Sequence, residues 1–205
     1  MRLYLLGAAL FLLSGCAAFF KPSEYPPLTQ EQQSALQQRH QAVASINAWS
    51  FRGRLSLTTE KEAWTGKVRW QQTADEFRIH FDSPTGQGAM QLMSNHQFGV
   101  EMRVANGGVY YADDAATLLY NHTGWRLPVA ALRMWLLGLP QGRDEISQLQ
   151  FDAQGLLQNL QQYRWHVQYL SYQSVDGYSL PRKILLQNEQ IKIRMVIDHW
   201  ELNGE

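Results

Sequence analysis

The side chains with the widest chemical scope are the histidines, one cysteine and a pair of adjacent aspartates. Asp113 and Asp114 precede an apolar run, where their position suits helix capping better than paired acid–base catalysis. No G-x-S-x-G, H-E-x-x-H, phosphate-binding lysine loop or paired-cysteine motif occurs. No histidine has metal-ligand spacing with another, and most lie on polar positions. We therefore expect that the protein is not an enzyme and that it binds no metal and no cofactor. The six histidines are His40, His80, His96, His122, His166 and His199.

Cys16 is the only cysteine, and its surroundings indicate lipid attachment. A short basic start and the apolar run 3–13 have the form of an export signal, and the run is too short to span a bilayer. The run ends in Leu13-Ser14-Gly15-Cys16, which resembles a bacterial lipobox cut just before the cysteine. An ordinary secreted protein with a cysteine in its signal is the alternative. A lone cysteine excludes an internal disulfide, so we favour acylation of Cys16.

The organisation of the chain follows from this signal. We predict that residues 1–15 are a signal peptide that is removed, and that residues 16–28 are a lipidated N-terminus and proline-containing spacer. Residues 29–205 suit one domain with one core. The lipobox resemblance implies three acyl chains on Cys16, and Ala17 in place of an aspartate implies sorting to the outer membrane, at its periplasmic face.

Composition narrows the function classes. The chain has 18 basic and 18 acidic residues and no basic cluster, which argues against nucleic-acid binding. Nothing in the sequence indicates an obligate dimer, so we expect a monomer.

Hydrophobic periodicity predicts mainly β structure. Thr29 and Gln32 form a capping box for a first helix, and from Trp49 apolar and polar residues alternate as in half-buried strands. A helix capped by Asp113 and a second helix with Pro128 at its first position interrupt this pattern. Strands then resume, one of them over residues 163–172. The sum is a long antiparallel sheet whose apolar face must be covered by curling or by packed helices.

The aromatic and methionine content leaves one question open. Seven tryptophans, eight phenylalanines, nine tyrosines and six methionines lie largely on the inward phase of the strands. Such residues fill a core or line a cavity, and composition alone does not separate a full interior from a hollow one.

A longer motif bears on that question. Leu132-Arg133-Met134-Trp135-Leu136-Leu137-Gly138-Leu139-Pro140, preceded by Tyr110-Tyr111-Ala112-Asp113-Asp114-Ala115, resembles the LolB family of outer-membrane lipoprotein receptors. The likeness covers nearly the whole chain after the signal. It implies an unclosed antiparallel β half-barrel covered by helices, enclosing a hydrophobic cavity that takes the acyl chains of cargo lipoproteins from the soluble periplasmic carrier LolA. It also implies transfer to the outer membrane without catalysis.

The resemblance, combined with strand phase, gives candidate site residues. The family carries an exposed apolar residue in a loop proposed to enter the bilayer, here Pro84-Thr85-Gly86, where Thr85 departs from the pattern. Alternatives are a LolA-like carrier, a lipoprotein that scaffolds an outer-membrane assembly, and a lipid esterase. The predicted lipid-binding residues are Phe51, Leu55, Leu57, Trp64, Val68, Trp70, Phe77, Ile79, Phe81, Met90, Leu92, Leu118, Leu132, Trp135, Leu136, Trp165 and Val167.

Overall fold

A computed structural model describes residues 27–83 and 89–203 of the chain. The first part is a helix followed by a six-stranded meander. Its elements are α1 (Gln30–Val43), β1 (Ala48–Thr58), β2 (Ala63–Thr73), β3 (Glu76–Asp82), β4 (Met90–Asn95), β5 (Gly99–Val104) and β6 (Val109–Ala112).

Two helices separate this meander from a second one. The remaining elements are α2 (Ala115–Thr123), α3 (Val129–Leu136), β7 (Ile146–Phe151), β8 (Leu157–Gln162), β9 (Trp165–Val175), β10 (Tyr178–Gln187) and β11 (Lys192–Leu202). Among the described residues, none of the helices combines the length and the apolar character needed to cross a bilayer.

All the described strands form one antiparallel sheet of 11 strands, in the order β6-β5-β4-β3-β2-β1-β11-β10-β9-β8-β7. The first strand therefore pairs with the last at the centre, and β6 and β7 are the two edges. The edges do not pair with each other, so the sheet is open. This confirms the predicted unclosed antiparallel architecture, with α2 and α3 connecting one edge to the other.

Alternation places the apolar side chains on one face of the sheet. In β1 every second residue is buried, and polar or exposed residues lie between them. Trp49 and Phe51 lie in an aromatic cluster with Trp70 and Trp200, with ring centroids 5.3 to 6.4 Å apart. Each of these rings buries a large apolar area. The cluster is therefore a major part of the core, at the place where β1 pairs with β2 and β11.

The predicted helix starts are confirmed once and corrected twice. Thr29 and Gln32 form both bonds of the capping box. The N-cap of α2 is Asp114 rather than Asp113, because the Asp114 carboxylate accepts from the Thr117 backbone N–H at 2.9 Å. Pro128 is the N-cap of α3, one position before the predicted one, since its backbone is not yet helical.

The strand predicted over residues 163–172 also needs correction. Tyr163 and Arg164 have positive φ angles of 51° and 63°, and they form the turn between β8 and β9. Sequence alternation continued through these two residues, which hid the turn because neither glycine nor proline marks it. The strand starts at Trp165 and continues to Val175.

Candidate functional site

The inward face of the sheet and the α2–α3 segment enclose an apolar cavity. Its strand residues are gathered by register: Leu57 lies opposite both Trp64 and Ile193, and Phe81 lies opposite both Val68 and Met90. Every lining side chain is apolar. The lining residues are Leu55, Leu57, Trp64, Val68, Trp70, Phe81, Met90, Leu119, Trp125, Leu127, Leu132, Leu186, Ile193 and Met195.

The cavity is nearly closed in this conformation. Its free space is about 40 Å³, which is room for on the order of three water molecules. An acyl chain requires much more space than this. The lining side chains or the covering helices must therefore move before such a ligand can enter.

The helix α3 covers the cavity and is held at its C-terminal end by buried hydrogen bonds. Trp135, which has no exposed surface, donates from Nε1 to Gln162 Oε1 at 3.1 Å. The Tyr169 hydroxyl donates to the Trp135 carbonyl at 2.9 Å. The buried Arg39 guanidinium of α1 donates from Nη2 to the Leu137 carbonyl at 2.5 Å. These contacts fix the end of α3 to β8, β9 and α1.

At the other end of the cover, the side-chain hydrogen bond to the β1–β2 turn is exposed. Leu132 on α3 is the residue of that helix that lines the cavity, and Leu127 precedes the helix. Trp125, in the connection before them, is only partly buried and donates from Nε1 to Glu62 Oε1 at 3.0 Å, in an exposed hydrogen bond. Because an exposed bond is weakened by competing water, the Trp125 bond stabilises its end of the segment less than the buried bonds stabilise the end at Trp135.

The structure brings eight of the predicted lipid-binding residues together at the cavity. They are Leu55, Leu57, Trp64, Val68, Trp70, Phe81, Met90 and Leu132. They come from four neighbouring strands and α3, so a single ligand in this space would touch all of these elements.

The other predicted residues lie around the cavity without lining it. Phe51 belongs to the aromatic cluster, and Phe77 lies in a shallow groove beside α2 and α3. Trp165 contacts the ring of Trp135, with centroids 6.3 Å apart. The remaining five are buried in the same core: Ile79, Leu92, Leu118, Leu136 and Val167. A lipid-binding role for all the predicted residues, at the cavity or around it, stays a prediction.

Six lining residues were absent from the sequence-based set. Leu186, Ile193 and Met195 lie on β10 and β11, which were recognised as strands, so their alternation was a usable signal. Leu119 lies on α2 among buried neighbours. Trp125 and Leu127 lie in an irregular segment where no period indicates which side faces inward.

Two predicted features lie outside the described residues. Cys16, the predicted lipidation site, precedes residue 27. The predicted membrane-insertion loop Pro84-Thr85-Gly86 lies in the interval 84–88.

One member of the acidic pair, Asp114, has a structural role. The Thr117 backbone N–H and hydroxyl both donate to the Asp114 carboxylate, and these hydrogen bonds hold the pKa of that carboxyl below its usual value. Asp114 is thus the N-terminal cap of α2, the role that the sequence had assigned to Asp113. Within residues 27–83 and 89–203, no group of three His, Cys, Asp or Glu side chains is placed to hold a metal ion.

The architecture has counterparts among solved structures. A LolA superfamily protein from Nitrosomonas europaea superposes with a TM-score of 0.55 at 4% identity, covering 85% of this chain and 94% of the other. A DUF1329 family protein from Desulfovibrio piger superposes with a TM-score of 0.52 at 9% identity, over 84% of this chain and 92% of the other. The open sheet with an apolar interior beneath helices therefore defines a protein of the LolA-like fold class.

Sequence comparison identifies the family within that class. The family model described as outer membrane lipoprotein LolB matches residues 47–200. The outer-membrane lipoprotein LolB of Nitrosococcus oceani is 38% identical over 201 residues, which are 98% of each chain. That of Pseudomonas paraeruginosa is 32% identical over 202 residues, 98% of this chain and 96% of the relative. The chain belongs to the LolB family, which confirms the resemblance inferred from the motif around Trp135.

Proposed function

We propose that this protein is a receptor anchored in the outer membrane that accepts lipoproteins from the soluble periplasmic carrier LolA and inserts them into that membrane. Membership of the LolB family supports a role in outer-membrane lipoprotein localisation. Transfer proceeds by acyl-chain binding without catalysis. The lipid anchor is attached to Cys16, and residues 16–28 hold the folded domain away from the membrane surface.

The apolar cavity beneath α2 and α3 is the observation that carries this proposal. Its lining is made wholly of apolar side chains. Burial of each methylene is worth about 0.8 kcal/mol, so exposing one acyl chain to water would cost on the order of 10 kcal/mol. A lipoprotein must therefore pass directly from one apolar cavity to another, which requires the carrier to dock on the receptor.

Binding requires the closed cavity to expand. The space of about 40 Å³ holds a small part of a chain at most. Movement of the α2–α3 segment away from β1 and β11 would enlarge it without disturbing the sheet, because no strand pairing involves these helices. The cavity residues named above are the first expected contacts of the acyl chains, and the other predicted lipid-binding residues are contacts of the enlarged cavity.

The anchor distinguishes a receptor from a carrier. A protein held by acyl chains on Cys16 stays with one membrane, since several buried chains exceed what stable anchoring needs. The loop Pro84-Thr85-Gly86 is the proposed point at which cargo is passed to the bilayer. A threonine there inserts less favourably than an apolar residue, so we expect Thr85→Leu to increase the rate of delivery into liposomes.

A transfer assay tests the proposal. The full-length protein is reconstituted in liposomes and mixed with carrier loaded with a radiolabelled lipoprotein, in the absence of nucleotide, and the liposomes are then floated. We expect cargo in the floated fraction only when the receptor is present. Liposomes without receptor and liposomes that carry the Leu132→Glu variant are the controls. Cargo that remains on the carrier in every sample would refute the proposed function.

A further inference from the structure

A polar groove lies beside the apolar cavity, at one end of the sheet. It is formed by the β1–β2 turn, the end of α2 with the following connection, and the β10–β11 turn. Its space of about 390 Å³ opens to solvent, and its wall is polar and apolar in about equal parts, whereas that of the cavity is wholly apolar. Thr59, Glu60, Lys61 and Glu62 of the β1–β2 turn form one side.

Trp125 is the wall that the groove and the cavity share. It lines both spaces. On the groove side its Nε1 donates to Glu62 Oε1 at 3.0 Å. On the cavity side its ring lies edge-on to that of Trp64, with centroids 6.5 Å apart. Displacement of this one side chain would therefore connect the polar groove to the apolar cavity.

The groove offers hydrogen-bond donors that the fold does not use. Across the described ranges, neither the Lys61 ammonium nor the Gln190 side-chain amide has a hydrogen-bond or ion-pair partner, and both line the groove. These groups donate to carbonyl oxygens. Glu62, in contrast, is occupied by Trp125. A ligand with an apolar tail and carbonyl groups at the head of that tail fits this arrangement, because the tail would lie in the cavity and the carbonyl groups in the groove, on either side of Trp125.

We propose that the groove binds the polar junction of a lipidated cysteine, namely its glycerol ester and amide carbonyls, while the acyl chains displace Trp125 and occupy the cavity. This inference rests on the proposed function and adds a head-group subsite to it. Lys61 and Gln190 donate to the carbonyls. Trp125, which donates a hydrogen bond to Glu62, is the partition between the two spaces, and the chains enter the cavity when this side chain moves aside.

Photo-crosslinking tests the location of each part of the ligand. A synthetic triacylated cysteinyl peptide is prepared with a photoreactive group either at the end of one acyl chain or on the residue after the cysteine. Each peptide is added to the full-length protein in liposomes, irradiated, and mapped by mass spectrometry. We expect tail adducts on cavity residues such as Met195, and head adducts on residues 59–62, 123–125 or 190–191.

The outcomes separate the two proposals. Tail adducts in the cavity with head adducts elsewhere on the protein would overturn the groove subsite and leave acyl-chain binding intact. The lack of any tail adduct in the cavity would overturn the proposed function itself.

Variants of the two donors give a quantitative test. In Lys61→Ala/Gln190→Ala, the crosslinking yield of the lipopeptide should fall by roughly fivefold for each lost hydrogen bond. The yield of a photoreactive hydrocarbon without ester or amide groups should stay unchanged. The matched control is Lys183→Ala/Gln154→Ala, where both side chains are exposed and neither lines the groove. Equal yields for the test and control variants would overturn the subsite.

The partition is tested through its hydrogen bond. Glu62→Ala removes the acceptor for Trp125, whereas Glu62→Gln keeps a carbonyl oxygen at that position. We expect Glu62→Ala to speed tail entry severalfold, measured as the initial rate of tail crosslinking, and Glu62→Gln to behave as the unaltered protein. Identical rates for both variants and the unaltered protein would show that Trp125 does not control entry.

Discussion

The amide of Gln162 should be a principal anchor of the helix that covers the cavity. It has no exposed surface. Its Oε1 accepts from Trp135 Nε1 at 3.1 Å and from the Gln141 backbone N–H at 2.9 Å. Its Nε2 donates to the carbonyls of Gln141 and Asp144, each at 2.9 Å. Gln162→Leu keeps the approximate size of the side chain and removes all of these bonds.

The magnitude follows from what each lost bond leaves behind. A hydrogen bond contributes about 1 kcal/mol net, and a buried group left without a partner costs about 1–3 kcal/mol. The Trp135 indole N–H is buried and would stay unpaired, whereas the Gln141 and Asp144 groups are partly buried and can bind water. We therefore expect the free energy of unfolding to fall by about 3–5 kcal/mol, a large part of the stability of an ordinary domain.

Urea unfolding followed by tryptophan fluorescence measures this change. Gln161→Leu is the control, because this neighbouring side chain is exposed, and its effect should stay within about 0.5 kcal/mol. A double-mutant cycle with Trp135→Phe should give a coupling energy of about 1 kcal/mol. A Gln162→Leu variant within about 1 kcal/mol of the unaltered protein would refute the assignment of this amide as an anchor.

Three further predictions concern α2, the centre of the sheet and the cavity. Because the pKa of Asp114 is lowered in the folded state, its stabilising effect is full above the unfolded pKa and is lost as pH falls through the folded one. Asp114→Ala should cost about 1 kcal/mol at neutral pH in urea unfolding, with less difference from the unaltered protein at pH 3. Gly53→Ala should cost about 1–3 kcal/mol in the same assay, because a Cβ there would lie 2.5 Å from the Val196 carbonyl oxygen; a neutral effect would contradict this close packing. Val68→Phe should reduce binding of a fluorescent acyl probe by filling the cavity, while Val196→Phe, on the other phase of its strand, should not; equal binding by both would count against the cavity as the acyl site.

Much of the fold was predictable because its local signals agree. The alternation of β1 reports its buried face directly, and the capping box at Thr29 marks a helix start with two side-chain bonds. The motif around Trp135 was sufficient to indicate the LolB family. These signals depend on neighbouring residues and need no knowledge of distant contacts.

The features that sequence did not give depend on tertiary contacts. Asp113 and Asp114 are chemically identical candidates for a cap, and only the backbone path selects the second. The turn at Tyr163 and Arg164 has no turn-forming residue, although both adopt positive φ.

The membership of the cavity was predicted in part for the same reason. Leu55 and Met195 face each other across β1 and β11, a pairing that joins residues far apart in the chain. Trp125 lines the cavity from an irregular segment, and its position is set by Trp64 and Glu62. Neither the pairing nor the position of Trp125 is marked by a periodic pattern in the sequence.

The pairing of β1 with β11 has a consequence for how the protein tolerates shortening. In many sheets a strand at the end of the sequence is an edge strand, and its loss removes only one edge of the sheet. Here β11 lies at the centre, hydrogen-bonded to β1 and β10. A protease cut before Lys192 would separate β11 from the chain and leave two meanders with no strand pairing between them. We therefore expect loss of β11 to unfold the whole domain rather than only one edge of the sheet.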